Sequence, residues 1–356
     1  MTVIRSLVSA SPGALQRALD ERTAPGVLVK PGPGEQLTCL ACAHACALAE
    51  GKRGICGVRR HEGGELRVPW GYIARKYVRA VETNTIFHVR PGEKALTFGL
   101  FGCDLRCPYC HNAKLSQALR DDVEGTPLDT TPEALTDEAV SAGARVICAA
   151  YNEPMISAEW VRRIFECARG AGLVTALISD GNSTPEALAY LRPVTDVFRV
   201  DLKGYSQEQY RKLGGRLEPV LDSIRESKRL GYWVEVVTLV VPGLNDEERG
   251  LRELGDELRR IDPEMPWHLN AFVPRYRLAT TPSPNPHFLA SVAGSAYARG
   301  TRYVYVGNAP GMAALAHTRC PDCQRTLIER EDYRVTAMSV RGGGCPDCGT
   351  TLPGLL

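Results

Sequence analysis

From residue 94 onward the chain alternates short apolar runs with longer stretches that carry an apolar position every three or four residues. The runs are "KALTFGLFG" (94–102), "ARVICAAY" (144–151), "LVTALIS" (173–179), "VTDVFRVDLKG" (194–204), "YWVEVVTLVVPG" (232–243), "WHLNAFV" (267–273) and "RYVYVG" (302–307). They are short and rich in β-branched and aromatic residues, and they predict buried strands. Between them lie predicted helices at 132–143, 157–172, from Thr184, across 206–230, at 246–261 and near 287–299. Thr131 followed by Pro132 is an N-cap with proline at the first helical position. Gly214-Gly215 reads as a helix stop and not as a nucleotide-binding loop.

Strands alternating with helices of this length imply βα units around a parallel sheet. Six or seven units exceed a flavodoxin-like fold, so the expected class is α/β with a full or partial (β/α) barrel. In either case ligands bind beyond the carboxyl ends of the strands. Polar residues gather there: Asn152 and Glu153 after the second strand, Asp180 and Asn182 after the third, Asp201 and Lys203 ending the fourth.

The chain has 356 residues, 44% apolar and 24% charged, with a net charge of +2. That is an ordinary globular composition, and the weak charge argues against nucleic acid or an anionic membrane as partner. No apolar stretch approaches the ~18 residues of a membrane span. The first residues, "MTVIRSLVSASPGALQRALDER", read as an amphipathic helix after Ser11-Pro12 and not as a signal peptide.

Thirteen cysteines change the picture. They cluster tightly in a large chain without a secretory signal, so metal binding in a reducing, cytoplasmic setting is expected over disulfides. Cys39, Cys42, Cys46 and Cys56 are spaced C-x2-C-x3-C-x9-C. Cys103, Cys107 and Cys110 follow the first strand as C-x3-C-x2-C in "FGCDLRCPYCHN". Cys320, Cys323, Cys345 and Cys348 form two C-P-D-C knuckles 21 residues apart. Cys148 and Cys167 read as small core residues.

The middle group has only three thiols. Three thiolates grip three corners of a cubane iron–sulfur cluster and leave the fourth iron open, whereas a zinc knuckle would recruit His111. Adjacent Cys110 and His111 point apart on most backbones, so the spacing favours the cluster. The first group is a complete four-thiol site, and its spacing does not separate structural zinc from a second cluster. His44 is a spare ligand there that four thiols do not need. The last group reads as a structural zinc ribbon.

C-x3-C-x2-C with Tyr109 before the last cysteine resembles the radical SAM signature. Further stretches resemble the radical SAM enzyme family of the AmmeMemoRadiSam system, relatives of the pyruvate formate-lyase activating enzymes. These are "CLACAHACALAEGKRGICGVR", "YNEP", "VDLKGYSQEQYRKLGG", "VEVVTLVVPGLND", "RYVYVGNAPG" and "CPDCGTTLPG". The resemblance covers nearly the whole chain from Cys39. It implies a partial (β/α)6 TIM-like barrel over residues 91–312, an N-terminal four-cysteine region over 1–90 and a zinc-ribbon-like module over 313–356.

The resemblance also implies a [4Fe–4S] cluster on Cys103, Cys107 and Cys110 with S-adenosylmethionine on the open iron. Glu153 would meet the methionine amino group and Lys203 its carboxylate. Tyr109, Asn152, Asp180, Asn182 and Asp201 would complete the pocket. Reductive cleavage would release a 5′-deoxyadenosyl radical that takes hydrogen from a protein or small-molecule substrate. The implied partners are a one-electron reductant of the flavodoxin or ferredoxin type and Memo-like and AMMECR-like proteins. The family's usual Gln-Asn after the last cysteine is His111-Asn112 here. Its Phe-His-Pro segment at the sixth strand is "FVP" with Val273, which leaves two alternatives, His268 as the replacement contact or loss of that contact.

Two other functions compete on the residues alone. A non-catalytic carrier with two iron–sulfur clusters would bind no S-adenosylmethionine. A zinc-based interaction module on a barrel would hold three zinc ions and no iron.

Overall fold

The computed structural model describes residues 13–356. The Ser11-Pro12 signal lies outside the described residues, and the helix expected after it runs over Ala14–Asp20 with Leu15 and Leu19 buried.

The core is one eight-stranded sheet. In chain order its strands are β1 (Arg75–Ala80), β2 (Lys94–Gly99), β3 (Ala144–Ala149), β4 (Val174–Ser179), β5 (Val197–Asp201), β6 (Trp233–Val240), β7 (Trp267–Ala271) and β8 (Val304–Gly307). Each pairs with its neighbours in that order, and the edge strands β1 and β8 do not pair with each other. β2 to β8 are all parallel. β1 runs antiparallel to β2, with Arg75 opposite Gly99. The result is an open, partial barrel. The helices crossing between parallel strands include Pro132–Ser141, Ala158–Gly170, Pro185–Leu191, Leu217–Arg229, Glu248–Ile261 and Pro286–Ala298.

Local chemistry sets these boundaries. Thr131 accepts from the Ala134 N–H at 3.1 Å and Pro132 opens the helix. Thr184 caps the helix after β4 in the same way through Ala187. Gly214 closes the helix Gln207–Leu213 at φ +83°, a conformation that glycine adopts without a Cβ penalty. Apolar residues of the strands and of the inner helix faces merge into one continuous core. Burial of that apolar surface is the main force holding the barrel.

Two features differ from the expected organisation. The boundary placed at residue 90 falls inside the barrel, because β1 belongs to the sheet. In addition, the segment between β1 and β2 crosses the barrel floor, at the amino ends of the strands. Glu235 on β6 accepts from the Phe87 and His88 amides, each at 2.9 Å. Arg199 on β5 donates to the Asn84 carbonyl at 3.1 Å.

The C-terminal module is a three-stranded antiparallel sheet, Thr318–Arg319, Thr326–Glu331 and Arg334–Met338. It packs on that floor segment. Arg330, 1% exposed, donates to the Phe87 carbonyl at 2.7 Å. Phe87, Tyr303, Tyr305, Leu327, Ile328 and Leu352 form a shared apolar cluster. Tyr303 and Tyr305 thus pack as the strand pattern predicts. Tyr305 also bridges His88 and Thr318 through its hydroxyl, at 2.7 and 3.0 Å.

Candidate functional site

The site lies at the mouth, where the parallel strands end. β2 stops at Gly99, and the chain turns past β3 so closely that a Cβ there would sit 2.4 Å from the Ala150 carbonyl oxygen. Gly102 turns it again at φ +93°, against the Cys56 carbonyl. The loop that follows carries Cys103, Cys107 and Cys110 over a cavity of about 480 Å³.

Nine of the residues expected at a site line this cavity: Cys103, Cys107, Tyr109, Cys110, Asn152, Glu153, Asp180, Asp201 and Lys203. Asn182 does not; it is 3% exposed and works from behind. Its side-chain amide donates to Asp104 at 2.7 Å and its backbone N–H to Asp180 at 3.1 Å. Asn152 accepts from the Leu100 amide at 3.0 Å, so it fixes the end of β2 while facing the cavity.

His268 requires a correction. It is the second residue of β7 and points into the barrel floor, away from the cavity. Its Nε2 donates to Glu235 at 2.8 Å and its ring stacks on Tyr305 with centroids 5.0 Å apart. Strand position explains this, since only residues near the carboxyl end of a strand reach the mouth. On β7 that residue is Asn270, which lines the cavity.

The electrostatics of the mouth are lopsided. Glu153 accepts from the Met155 amide at 2.9 Å, the Ser179 hydroxyl at 2.9 Å and the Asp180 amide at 2.7 Å. Even so, burial pushes its carboxyl well above the usual range, and neighbouring Asp180 adds to the shift. Burial and Asp104 raise Asp180 in the same way. Burial, with Glu153, raises Asp104 to about 6. Three carboxylates thus face one another beside the thiols, and Cys103, Asp104 and Asp180 bring ligand atoms within 4.8 Å of one another.

On the far wall Lys203 sits 3.3 Å from Asp201, which also pairs with Arg199. Burial works against the Lys203 charge, but Asp201, then Cys107 and Tyr109, overcome it and hold the ammonium above its usual range. Burial likewise opposes the Asp201 charge, and Arg199 with Lys203 keeps it low. The Tyr109 hydroxyl is buried without a hydrogen-bond partner. Buried polar groups are normally paired, so this hydroxyl and the crowded carboxylates fit a missing cationic, hydrogen-bonding ligand.

The sequence reading missed Asp104, Arg199, Asn270 and Tyr333. Asp104 was findable, as a charged residue inside the cysteine motif. Tyr333 was not, because it reaches the cavity from the C-terminal module.

The three cysteine groups differ in geometry. The four C-terminal sulfurs lie within 4.8 Å of one another, with Cys320–Cys348 at 3.4 Å and Cys323–Cys345 at 3.5 Å. That suits one tetrahedral ion, whose thiolates stand ~3.8 Å apart when metal–sulfur bonds are ~2.3 Å. Among the described residues, neither the barrel triad nor Cys39, Cys42, Cys46 and Cys56 draw three sulfurs that close, and His111 joins no such group. Cys148 is a fully buried residue of β3 and Cys167 is half-buried on a helix.

Comparison with known proteins agrees with this geometry. The radical SAM superfamily profile matches residues 99–254, from the end of β2 through the triad to the helix after β6. An uncharacterized protein of Methanocaldococcus jannaschii is 32% identical over 321 residues, covering 88% of this chain and 94% of its own length. The pyruvate formate-lyase 1-activating enzyme of Escherichia coli K12 is 30% identical over 182 residues, covering 48% of this chain and 70% of the enzyme. Among solved structures, Streptococcus suis SuiB bound to S-adenosylmethionine aligns with a TM-score of 0.48 and 12% identity, over 64% of this chain and 53% of that one. The superfamily profile and the Escherichia coli activating enzyme agree with the open cysteine triad and the parallel partial barrel beneath it: the chain belongs to the radical SAM superfamily and is an enzyme of reductive S-adenosylmethionine cleavage.

Proposed function

We propose that Cys103, Cys107 and Cys110 hold a [4Fe–4S] cluster, and that the cavity beside them positions S-adenosylmethionine so that the resulting radical meets a second substrate at the mouth. The supporting observation is the buried group of Asp104, Glu153 and Asp180, an acidic wall next to three thiols that shares the cavity with Lys203. When bound, the cluster and its S-adenosylmethionine supply a one-electron cleavage that yields a 5′-deoxyadenosyl radical.

The chain's own residues bind and orient. Glu153, fixed by its three donors, receives the ligand's ammonium. Lys203, kept charged by Asp201, receives its carboxylate in a charge-assisted hydrogen bond. Asp180 takes a ligand hydroxyl or amine, and Asn182 holds Asp180 and Asp104 in place. The Tyr109 hydroxyl gains the partner it lacks. Burial of the whole wall excludes water, which strengthens each of these contacts.

The substrate remains a class in this reading, either a protein side chain or backbone, as for the activating enzymes, or a small molecule. Memo-like and AMMECR-like proteins are the proposed companions, and a one-electron carrier supplies the electron. Zinc is the proposed ion of the C-terminal module.

The test is anaerobic. Reconstituted, reduced enzyme is given S-adenosylmethionine, and 5′-deoxyadenosine is quantified against a Cys103/Cys107/Cys110→Ala control. Product that disappears in the control is expected. A loaded, reduced cluster that leaves S-adenosylmethionine intact would sink the reading.

A further inference from the structure

We propose that the deep end of the cavity, between the barrel floor and the gap in its wall, is the second-substrate subsite and takes an anionic group, a carboxylate or a phosphate, on Arg79, Asn84 and Arg199. The inference rests on the radical reading of the site and adds the chemistry of what the radical meets.

The cavity changes character along its depth. At the mouth it is lined by the thiols, Glu153 and Asp180, and deeper by Arg79, Asn84 and Arg199. Depth follows from position in the sheet. Arg199 stands in the middle of β5 and reaches the floor segment through the Asn84 carbonyl, at 3.1 Å. Arg79 lies on antiparallel β1 opposite Ala95, the second residue of β2, and so sits at the level of the floor.

The charges on this side do not balance. Arg199 and Lys203 share one carboxylate, that of Asp201. Arg79 is exposed and has no carboxylate partner among the described residues; its guanidinium lies 4.6 Å from the centre of the Tyr77 ring. Three cations therefore stand against Asp201 and, once bound, the carboxylate of S-adenosylmethionine. One positive charge is left for another anion.

Donors are left over as well. Arg199 uses Nε on the Asn84 carbonyl and one Nη on Asp201, and its other Nη makes no hydrogen bond among the described residues. Asn84, 9% exposed, accepts from the Thr97 hydroxyl at 3.1 Å, while its Nδ2 is buried with no partner. Buried donors are normally paired. A carboxylate or phosphate brings several acceptor sites at once, and a guanidinium meets either in a charge-assisted bond.

The C-terminal module supplies a wall for this end. Its hairpin turn holds Asp332 and Tyr333 at φ +46° and +60°. That left-handed conformation is uncommon for a bulky residue, and here it accompanies a side chain that lines the cavity. The Tyr333 hydroxyl donates to Asn308, just past β8, at 2.8 Å. Its ring stands 6.5 Å from that of Phe87, in the segment that follows β1. Tyr333 thus spans the gap left by the unpaired edges of the sheet. Keeping water from the gap strengthens the attraction of the arginines for an anion.

The experiment titrates inorganic phosphate and acetate, with acetamide as the uncharged control, into the oxidised, reconstituted full chain by calorimetry. S-adenosylmethionine is present at saturation, so that Lys203 is occupied and, without an electron, nothing is cleaved. At least one anion is expected to bind saturably at a single site, and acetamide is not. Arg199→Gln should weaken that binding about tenfold, and Arg79→Gln, at an exposed position, about threefold, with S-adenosylmethionine affinity within about twofold of wild type. Tyr333→Ala should weaken it as well. If Arg199→Gln does not fold, Arg79→Gln and Tyr333→Ala decide. A chain that binds S-adenosylmethionine but neither anion overturns the subsite alone, as does anion binding that Arg79→Gln and Tyr333→Ala leave unchanged. A chain with a loaded cluster that binds no S-adenosylmethionine overturns the radical reading, and the subsite with it.

Discussion

At the floor of the barrel Glu235 is buried with every acceptor site in use. It takes hydrogen bonds from Phe87 and His88 at 2.9 Å, from the Trp233 indole at 3.0 Å and from His268 at 2.8 Å. Burial would push its carboxyl up, but His268, His88 and the Phe87 amide hold it at about 2. At the mouth Asp104, Glu153 and Asp180 are buried to the same degree and all three shift the other way. Both regions bury charge. The floor fills every acceptor site of its carboxylate from the chain itself, whereas the carboxyls of the mouth take a few backbone, hydroxyl and amide donors and leave room for a cationic partner. Burial of a carboxylate is therefore not what marks the site; the missing partner is.

The largest effect should come from breaking the floor. Glu235→Ala strands four donors, one of them the His268 imidazole, inside the core. Removing one partner of a buried charged network costs about 3–5 kcal/mol, read as a lower denaturation midpoint in urea. Folded variant should still bind S-adenosylmethionine within about twofold of wild type. A large loss of binding per folded molecule would mean that floor and mouth are one network.

Acid should separate the two ends next. His88 is neutral in the fold, donating from Nδ1 to the Pro353 carbonyl and accepting at Nε2 from Tyr305, both at 2.7 Å. Burial pushes it from 6.5 down to about 4. Below 6.5 the unfolded chain takes up a proton that the folded chain refuses until about 4. The stability His88 contributes is thus complete above 6.5 and is lost as pH falls to 4, by about 3 kcal/mol in all. The raised carboxyls of the mouth act with the opposite sign, because the folded state there binds protons more readily. The clean measurement is the cost of His88→Gln at several pH values. That cost should shrink steadily from pH 7 to pH 4, and a constant cost would show that His88 is not held neutral.

This division explains what could be read from the chain. Strands β2 to β8 and the helices between them were legible because apolar runs and caps such as Thr131 and Thr184 are local signals. β1 was not: "RKYVRA" carries three charges without regular alternation and buries none of its residues fully, and its partner strand supplies the missing stabilisation. Cys103, Glu153, Asp180 and Lys203 were legible because strand ends mark the mouth. His268 was misplaced because sequence separates inward from outward residues of a strand better than it separates its two ends. Tyr333 depends on the docking of a module more than 200 residues from the triad, which no local pattern encodes.

His268 gives the next test. His268→Gln can keep a donor toward Glu235 but loses the stacking on Tyr305 and the edge contact with Phe87, whose centroid lies 4.8 Å away. A loss of about 1–3 kcal/mol is expected, with S-adenosylmethionine affinity unchanged in equilibrium dialysis of the reconstituted protein. Weakened binding at unchanged stability would return His268 to the site.

The smallest change in stability is expected at the mouth, and there it is the informative result. Asp180→Asn keeps the oxygen that accepts from the Asn182 amide at 3.1 Å and removes one charge from beside Asp104. Like charges in a buried site repel, so the variant should be as stable as wild type or slightly more so, within about 1 kcal/mol. The same change removes part of the wall proposed to hold the ligand. 5′-Deoxyadenosine formation should then fall at least tenfold, with cluster content unchanged. Stability gained where function is lost is the signature of charge kept for a ligand. If Asp180→Asn instead destabilises the fold as Glu235→Ala does, the mouth is a satisfied network like the floor, and the contrast between them fails.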